Sequence, residues 1–213
     1  MSGIMLSVAG AGNLPAPASL VGTLGLSGGS TANPASVGAV SGDLAIAFTT
    51  GSVSSGSGHG WAPVSEASSP LYFKELEAGD TSAPILLSSG GTQGAVVIYH
   101  GARSVVRVAA GSYTDPPDSG VSISGFIRNA AHAGMFARGR FTIGGGGFIS
   151  VEGVANFVGR SNFTDTSRDN AIYDWLSADR PDYVDGTAFT ASLGGGGEAF
   201  VATAEIFELR TIP

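Results

Sequence analysis

Apolar residues in this chain recur mostly with a period of two. In "DLAIAFTT", Leu44, Ile46 and Phe48 share one face, with Ala45 and Ala47 on the other. "WAPVSE" and "LYFKELE" follow as strands after the loop "GSVSSGSGHG". "GAVVIYHG" at 94–101 is apolar at both parities, the pattern of a central strand covered on both faces. "SVVRVAA" and "GVSISGF" flank the turn "YTDPPDSG", where Pro116 and Pro117 cannot continue a ladder. "AGMFARGRFTI" sets Met135, Ala137, Gly139, Phe141 and Ile143 against Arg138, Arg140 and Thr142. The last strand carries Phe200, Ala202, Ala204 and Ile206 on one face, then Phe207 and Leu209 on the other, which calls for a bulge near Ile206.

One segment reads differently. In "TSRDNAIYDWLSA" at 166–178, Ile172 and Leu176 are four apart and Asp169 could sit near a helix N-terminus. The spacing predicts a short helix there. Ten to twelve short strands with turns between them predict an all-β fold. The natural packing is an antiparallel two-sheet sandwich, jelly-roll-like, with one short helix near 166–178.

Two glycine runs interrupt the strands, in "RFTIGGGGFISVEG" and "AFTASLGGGGEAFVATAE". A phosphate loop would place a helix and a Lys-Ser/Thr pair after its glycines. Strand patterns follow both runs and neither has the lysine, so both are expected to be hairpin loops.

Residues 1–42 contain no charged side chain; the first is Asp43. A free solvated arm usually keeps charge. The stretch is therefore either an N-terminal arm that docks on a partner or the first strands of the domain, with residues 43–213 forming the β-sandwich. As an arm, it would dock through Leu6, Val8, Leu20, Val21, Leu24 and Leu26. No Lys or Arg precedes Lys74, and Gly12, Pro15, Pro17 and Gly22 break the apolar start. A signal peptide or a membrane span is not expected.

Charge narrows the partners. The net charge is −7, and the nine arginines are scattered from Arg103 to Arg210. No basic cluster exists to neutralise phosphates, so nucleic acid is not an expected partner. The chain has no cysteine, which excludes a thiol nucleophile, a disulfide framework and Cys-ligated metal.

Candidate chemistry is sparse. "GLSGG" at 25–29 fits a nucleophile pattern, but turn-like "STANPASVG" follows where a helix is needed. His59, His100 and His132 make no metal-type spacing with one another. Asp165, Asp169, Asp174, Asp179, Asp182 and Asp185 lack the alternation of an EF-hand and read as a solvated, turn-rich stretch. No catalytic residue, metal site or cofactor is expected. Among Trp61, Tyr173, Trp175 and Tyr183, Trp61 reads as core. Trp175 and Tyr183, in a polar segment, are the candidates for a surface ligand contact such as sugar stacking.

At 42–102 the chain reads "GDLAIAF", "GW", "LYFKELEAGDTSAP" and "GAVVIYHGA". This order resembles a β-sandwich module of bacteriophage and gene-transfer-agent structural proteins. In that module a "GDLL-A" strand, a "GW" turn, a "YYK-A-AGD" strand and an "A-A-Y-G" strand recur. The likeness covers about 60 residues and carries no active site. It implies a non-enzymatic virion protein, made in the bacterial host cytoplasm, in a tail-tip, fibre or spike and involved in host attachment. Its implied partners are other virion proteins, further copies of itself, and a host surface glycan or protein. A capsid head decoration protein and a carbohydrate-binding module are the alternatives.

Overall fold

The computed structural model describes residues 17–26, 31–49, 60–67, 70–82, 84–86, 94–114, 121–126, 134–143, 158–165, 168–176, 179, 188–193 and 200–211. Within them the protein is all-β and antiparallel, with fourteen strands and one short 3-10 turn at Pro34–Val37. The strands of the first half are β1 (Ser19–Leu26), β2 (Thr31–Ala32), β3 (Leu44–Thr49), β4 (Ala62–Pro63), β5 (Leu71–Glu75), β6 (Ile85–Leu86) and β7 (Gly94–His100). Those of the second are β8 (Ser104–Thr114), β9 (Val121–Phe126), β10 (Gly134–Ile143), β11 (Val158–Asp165), β12 (Arg168–Leu176), β13 (Ala188–Leu193) and β14 (Phe200–Arg210).

One five-stranded sheet has the order β1-β7-β3-β5-β4, and a second the order β11-β12-β10-β14-β8. Two-stranded ribbons, β13-β9 and β2-β6, complete the pairing. The chain finishes the first five-stranded sheet before it begins the second. That connectivity is simpler than the jelly-roll-like one expected, in which strands alternate between sheets.

The facing sides of the two sheets share a core. Leu44, Ile46, Phe48, Leu71, Val97 and Tyr99 come from the first sheet; Val105, Ile172, Leu176, Phe207 and Leu209 come from the second. The other face of the first sheet is also closed. Ala45, Ala47, Val96 and Ile98 lie there with Leu26, Trp61 and Leu76, under Ala32, Val37 and Ala39. This double cover is why β3 and β7 are apolar at both parities.

The cover is specified locally. In "NPASVG" the Asn33 side chain accepts from the Ala35 N–H at 3.1 Å, Pro34 opens the turn, and Gly38 closes it at φ 78°. The turn sits directly on β1: a Cβ on Gly22 would lie 2.6 Å from the Val37 Cβ. Only glycine allows that approach.

Three expectations need correction. The segment 166–178 holds strand β12, paired with β10 and β11, and no helix. Ile172 and Leu176 sit two strand periods apart on the face toward the shared core, a spacing that a helix also produces. The arm reading fails for Leu20, Val21, Leu24 and Leu26. They belong to β1, which pairs with β7 from Ser19↔His100 to Leu26↔Gly94, and all four lie in or against the two cores. Leu6 and Val8 lie outside the described residues. The strands expected to form a hairpin around the second glycine run are not partners of each other: β13 pairs with β9, whereas β14 pairs with β8 and β10. Both glycine runs themselves lie outside the described residues.

The bulge expected near Ile206 is present, but on the neighbouring strand. Ile206 pairs with Ala109 and Phe207 with Arg107, so Val108 is the extra residue. β14 runs regularly against β10 through the same positions. Its residues 205–209 are apolar or buried at both parities because both faces are covered there.

Deleting residues 1–42 should therefore give an aggregated or unfolded product. It would remove β1 and the turn at 34–37, and each Leu withdrawn from a core costs about 1.5–3 kcal/mol. A folded, soluble remnant, seen as a cooperative thermal transition and a discrete mass in solution, would contradict this.

Candidate functional site

Two clusters of ionisable side chains stand out, one inside the shared core and one at an end of the first sheet.

The inner cluster is built around Asp174 of β12. Its neighbours in alternation, Ile172 and Leu176, are core residues, so Asp174 is carried to the same buried face and is fully shielded from solvent. Tyr99 of β7, across the core, donates its hydroxyl to Asp174 Oδ2 at 3.2 Å. Arg160 of β11 donates from Nε to Asp174 Oδ1 at 2.7 Å, and its Nη2 lies 2.7 Å from the same oxygen. The second contact of Nη2 is Asp179 Oδ2, at 3.1 Å. Arg160 reaches in because of a bulge: Gly159 pairs with Tyr173 and Ser161 with Ile172, which leaves Arg160 as the unpaired residue between them. Bulges commonly redirect a side chain in this way.

Burial pushes the Asp174 carboxyl up to about 6, against the opposing pull of the Arg160 charge and the hydrogen bonds from Arg160 and Tyr99. Burial, with the Asp174 charge beside it, also holds the Tyr99 hydroxyl well above its ordinary range. The network therefore keeps a neutral phenol against a carboxyl that titrates near neutrality. It joins the two sheets, and no described side chain offers it a nucleophile.

The outer cluster centres on Asp43, which is buried. Its Oδ2 accepts the Val40 N–H at 2.8 Å, and its Oδ1 lies 2.7 Å from His100 Nδ1. The Asp43 carbonyl accepts from Leu76 N–H, and the Gly42 N–H donates to Leu76 O. Arg103 spans Gly42 O and the Glu75 carboxylate. A similar turn follows β5: Asp80 accepts the Glu77 N–H at 2.8 Å and the Lys74 ammonium at 2.7 Å. Lys74 is itself only 7% exposed.

Ser19 is the β1 residue in register with His100, so Ser19, His100 and Asp43 form a row across the sheet end. The residue types are those of a hydrolytic triad, but the geometry is not. His100 is 62% exposed, and its Nδ1 is taken up by Asp43. A strand serine also lacks the strained turn and the amide donors that acyl transfer requires. The arrangement orients an imidazole at a turn.

The aromatic surface expected at Trp175 is not there: Trp175 is 1% exposed, on the face of β12 opposite Asp174. Polar neighbours in sequence suggested an open segment, but those neighbours are themselves folded into a covered sheet. Tyr183, His59, His132, Ser27, Asp182 and Asp185 lie outside the described residues. Trp61 is buried, as its position after a loop suggested. Among the described residues, no group of three or more His, Asp or Glu side chains could hold a metal ion. No described helix is long and apolar enough to cross a membrane.

The inner cluster was missed in the sequence. Its one signal is an aspartate at a core parity, between Ile172 and Leu176, with an arginine fourteen residues upstream. Comparison of the chain with protein-family models, with curated proteins and with solved structures found no match.

Asp174 makes stability depend on pH. A carboxyl that titrates higher in the folded chain than in the unfolded one binds its proton preferentially when folded. The associated stability is present at low pH and is lost as pH rises from about 4 through about 6. The expected loss is on the order of 3 kcal/mol. Asp174→Asn should flatten that part of a urea-unfolding profile against pH, and an unchanged profile would refute the assignment.

Proposed function

We propose that the chain is a non-enzymatic structural protein of a tailed bacteriophage or gene-transfer-agent particle, placed in a tail-tip, fibre or spike and serving host attachment. The observation that carries this reading is where the family-like segments lie. "GDLAIAF", "GW", "LYFKELEAGD" and "GAVVIYHGA" supply β3, the entry to β4, β5 with its turn, and β7. These are four neighbouring strands of one sheet, in the order β7-β3-β5-β4. The polar residues of these segments serve architecture. Asp43 ties the ends of β3, β5 and β7 together, and the Lys74–Asp80 pair closes the turn after β5. A recurrent pattern whose polar members hold turns fits a module kept for its shape.

Particles purified from the organism that carries the gene should contain the chain by mass spectrometry. Gold-labelled antibody against it should mark the tail end. Label over the heads would move the assignment to capsid decoration, and particles without the chain would refute the reading.

The non-enzymatic part has its own test. Activated esters, peptides and glycans should turn over no faster with the protein than in buffer. Hydrolysis that disappears in His100→Ala or Ser19→Ala would make the row at the sheet end an active site.

A further inference from the structure

The Arg160–Asp174 contact does more than fill a core. Among the described strands, β11 is the outermost of its sheet and pairs with β12 alone. It also lies against β7 of the other sheet. Its ladder is broken at Arg160, the bulge residue. At that break, the side chain of Arg160 takes over the attachment, with Nε and Nη2 both directed at one buried oxygen of Asp174.

We propose that Arg160 and Asp174 form an acid-released latch that fixes the edge strand β11 onto the body of the protein. With Asp174 ionised, the latch is a charge-assisted pair shielded from water. Once Asp174 takes up a proton, the pair loses its charge on one side. Among the described residues, the remaining ionic partner of Arg160 is Asp179, whose side chain is 45% exposed, and so exposed a pair holds little. The bulge is then left without its substitute for the missing ladder contact.

The sheets themselves stay joined. Tyr99 donates to Asp174, and a neutral carboxyl oxygen accepts that hydrogen bond as an ionised one does. Among the described residues, the groups that face Asp174 are Tyr99 from β7, Arg160 from β11 and Asp179 from the turn after β12. The β10 residue in register with it is Phe136, which does not titrate. Titration occurs near pH 6, because burial opposes the charge more than Arg160 and Tyr99 favour it. The latch requires that Asp174, held by Tyr99, stays buried on β12 when β11 alone lifts. Having lost Arg160 but not its burial, the carboxyl then binds a proton more readily than in the closed form. Acid therefore strengthens the fold as a whole and loosens one strand.

That pairing of effects gives the test. Amide hydrogen exchange is followed above and below about pH 6, with rates normalised for the intrinsic pH dependence. In the wild-type chain, amides of β11 should exchange at least roughly tenfold faster on the acid side, the scale of one lost charge-assisted hydrogen bond. Amides of β3 and β7 should not. Arg160→Gln should exchange quickly in β11 on both sides, with its β3 and β7 protected. Asp174→Asn should behave in the same way, and if it fails to fold, Arg160→Gln decides. Equal β11 protection on both sides of pH 6 in the wild type would overturn the latch. So would a change spread evenly over β3, β7 and β11, or a pH response that survives in Arg160→Gln.

Discussion

The first sheet must be covered on both faces, and most of the structure follows from that requirement. β3 and β7 carry Leu, Ile, Phe, Val and Tyr at one parity and Ala, Val and Ile at the other, all without exposure. Burying such surface is the main favourable term in folding, so neither face can be left to water. The second sheet covers one face. The capped turn at 34–37, with Ala32 and Ala39, covers the other. The residues on that side are small, Ala45 and Ala47 among them, which suits a thin cover made of a turn rather than a sheet.

Against that background a carboxylate in the shared core is costly. Asp174 is tolerated because two groups from two other strands converge on it: Tyr99 across the core and Arg160 through a bulge. Asp179 holds Arg160 from the far side, although its own charge opposes that of Asp174. The two groups do not repay the desolvation in full, which is why its titration rises toward neutrality. A buried polar group of this kind restricts how the two sheets can meet, since a shift of register would strand the carboxyl without partners. The contact has a definite register where purely apolar layers could slide.

The charged residues at the end of the first sheet do a different kind of work. Asp43 is the first charge in the chain and is almost wholly buried. It fastens the end of β3 to the end of β7 through its side chain on His100 and to the end of β5 through its carbonyl, with the Gly42 N–H adding a second backbone bond to Leu76. The abrupt onset of charge at position 43 looked like a border between an arm and a domain. In the structure it marks a turn inside the sheet, with β1 placed before it in the chain and beside β7 in space.

Alternation along the chain was sufficient to identify β3, β5, β7 and β10, because the period of two is carried by each segment's own residues. β3 is buried and apolar from Leu44 to Phe48, and β7 from Ala95 to Tyr99. The all-β class was legible for the same reason, and so was the central place of β7, whose two apolar parities require two covers. β12 was misread because Asp174 interrupts its apolar face. Only Tyr99, 75 residues away in sequence, and Arg160 across the bulge make that position habitable. The fate of β1 was likewise open, since an uncharged segment is equally suited to its own sheet and to a partner. Pairing with β7 resolved it, and pairing is a property of two strands that no single segment encodes. Periodicity is written residue by residue and could be read directly. Partnership between distant strands, and the titrating cluster that depends on it, arose only when the two sheets came together.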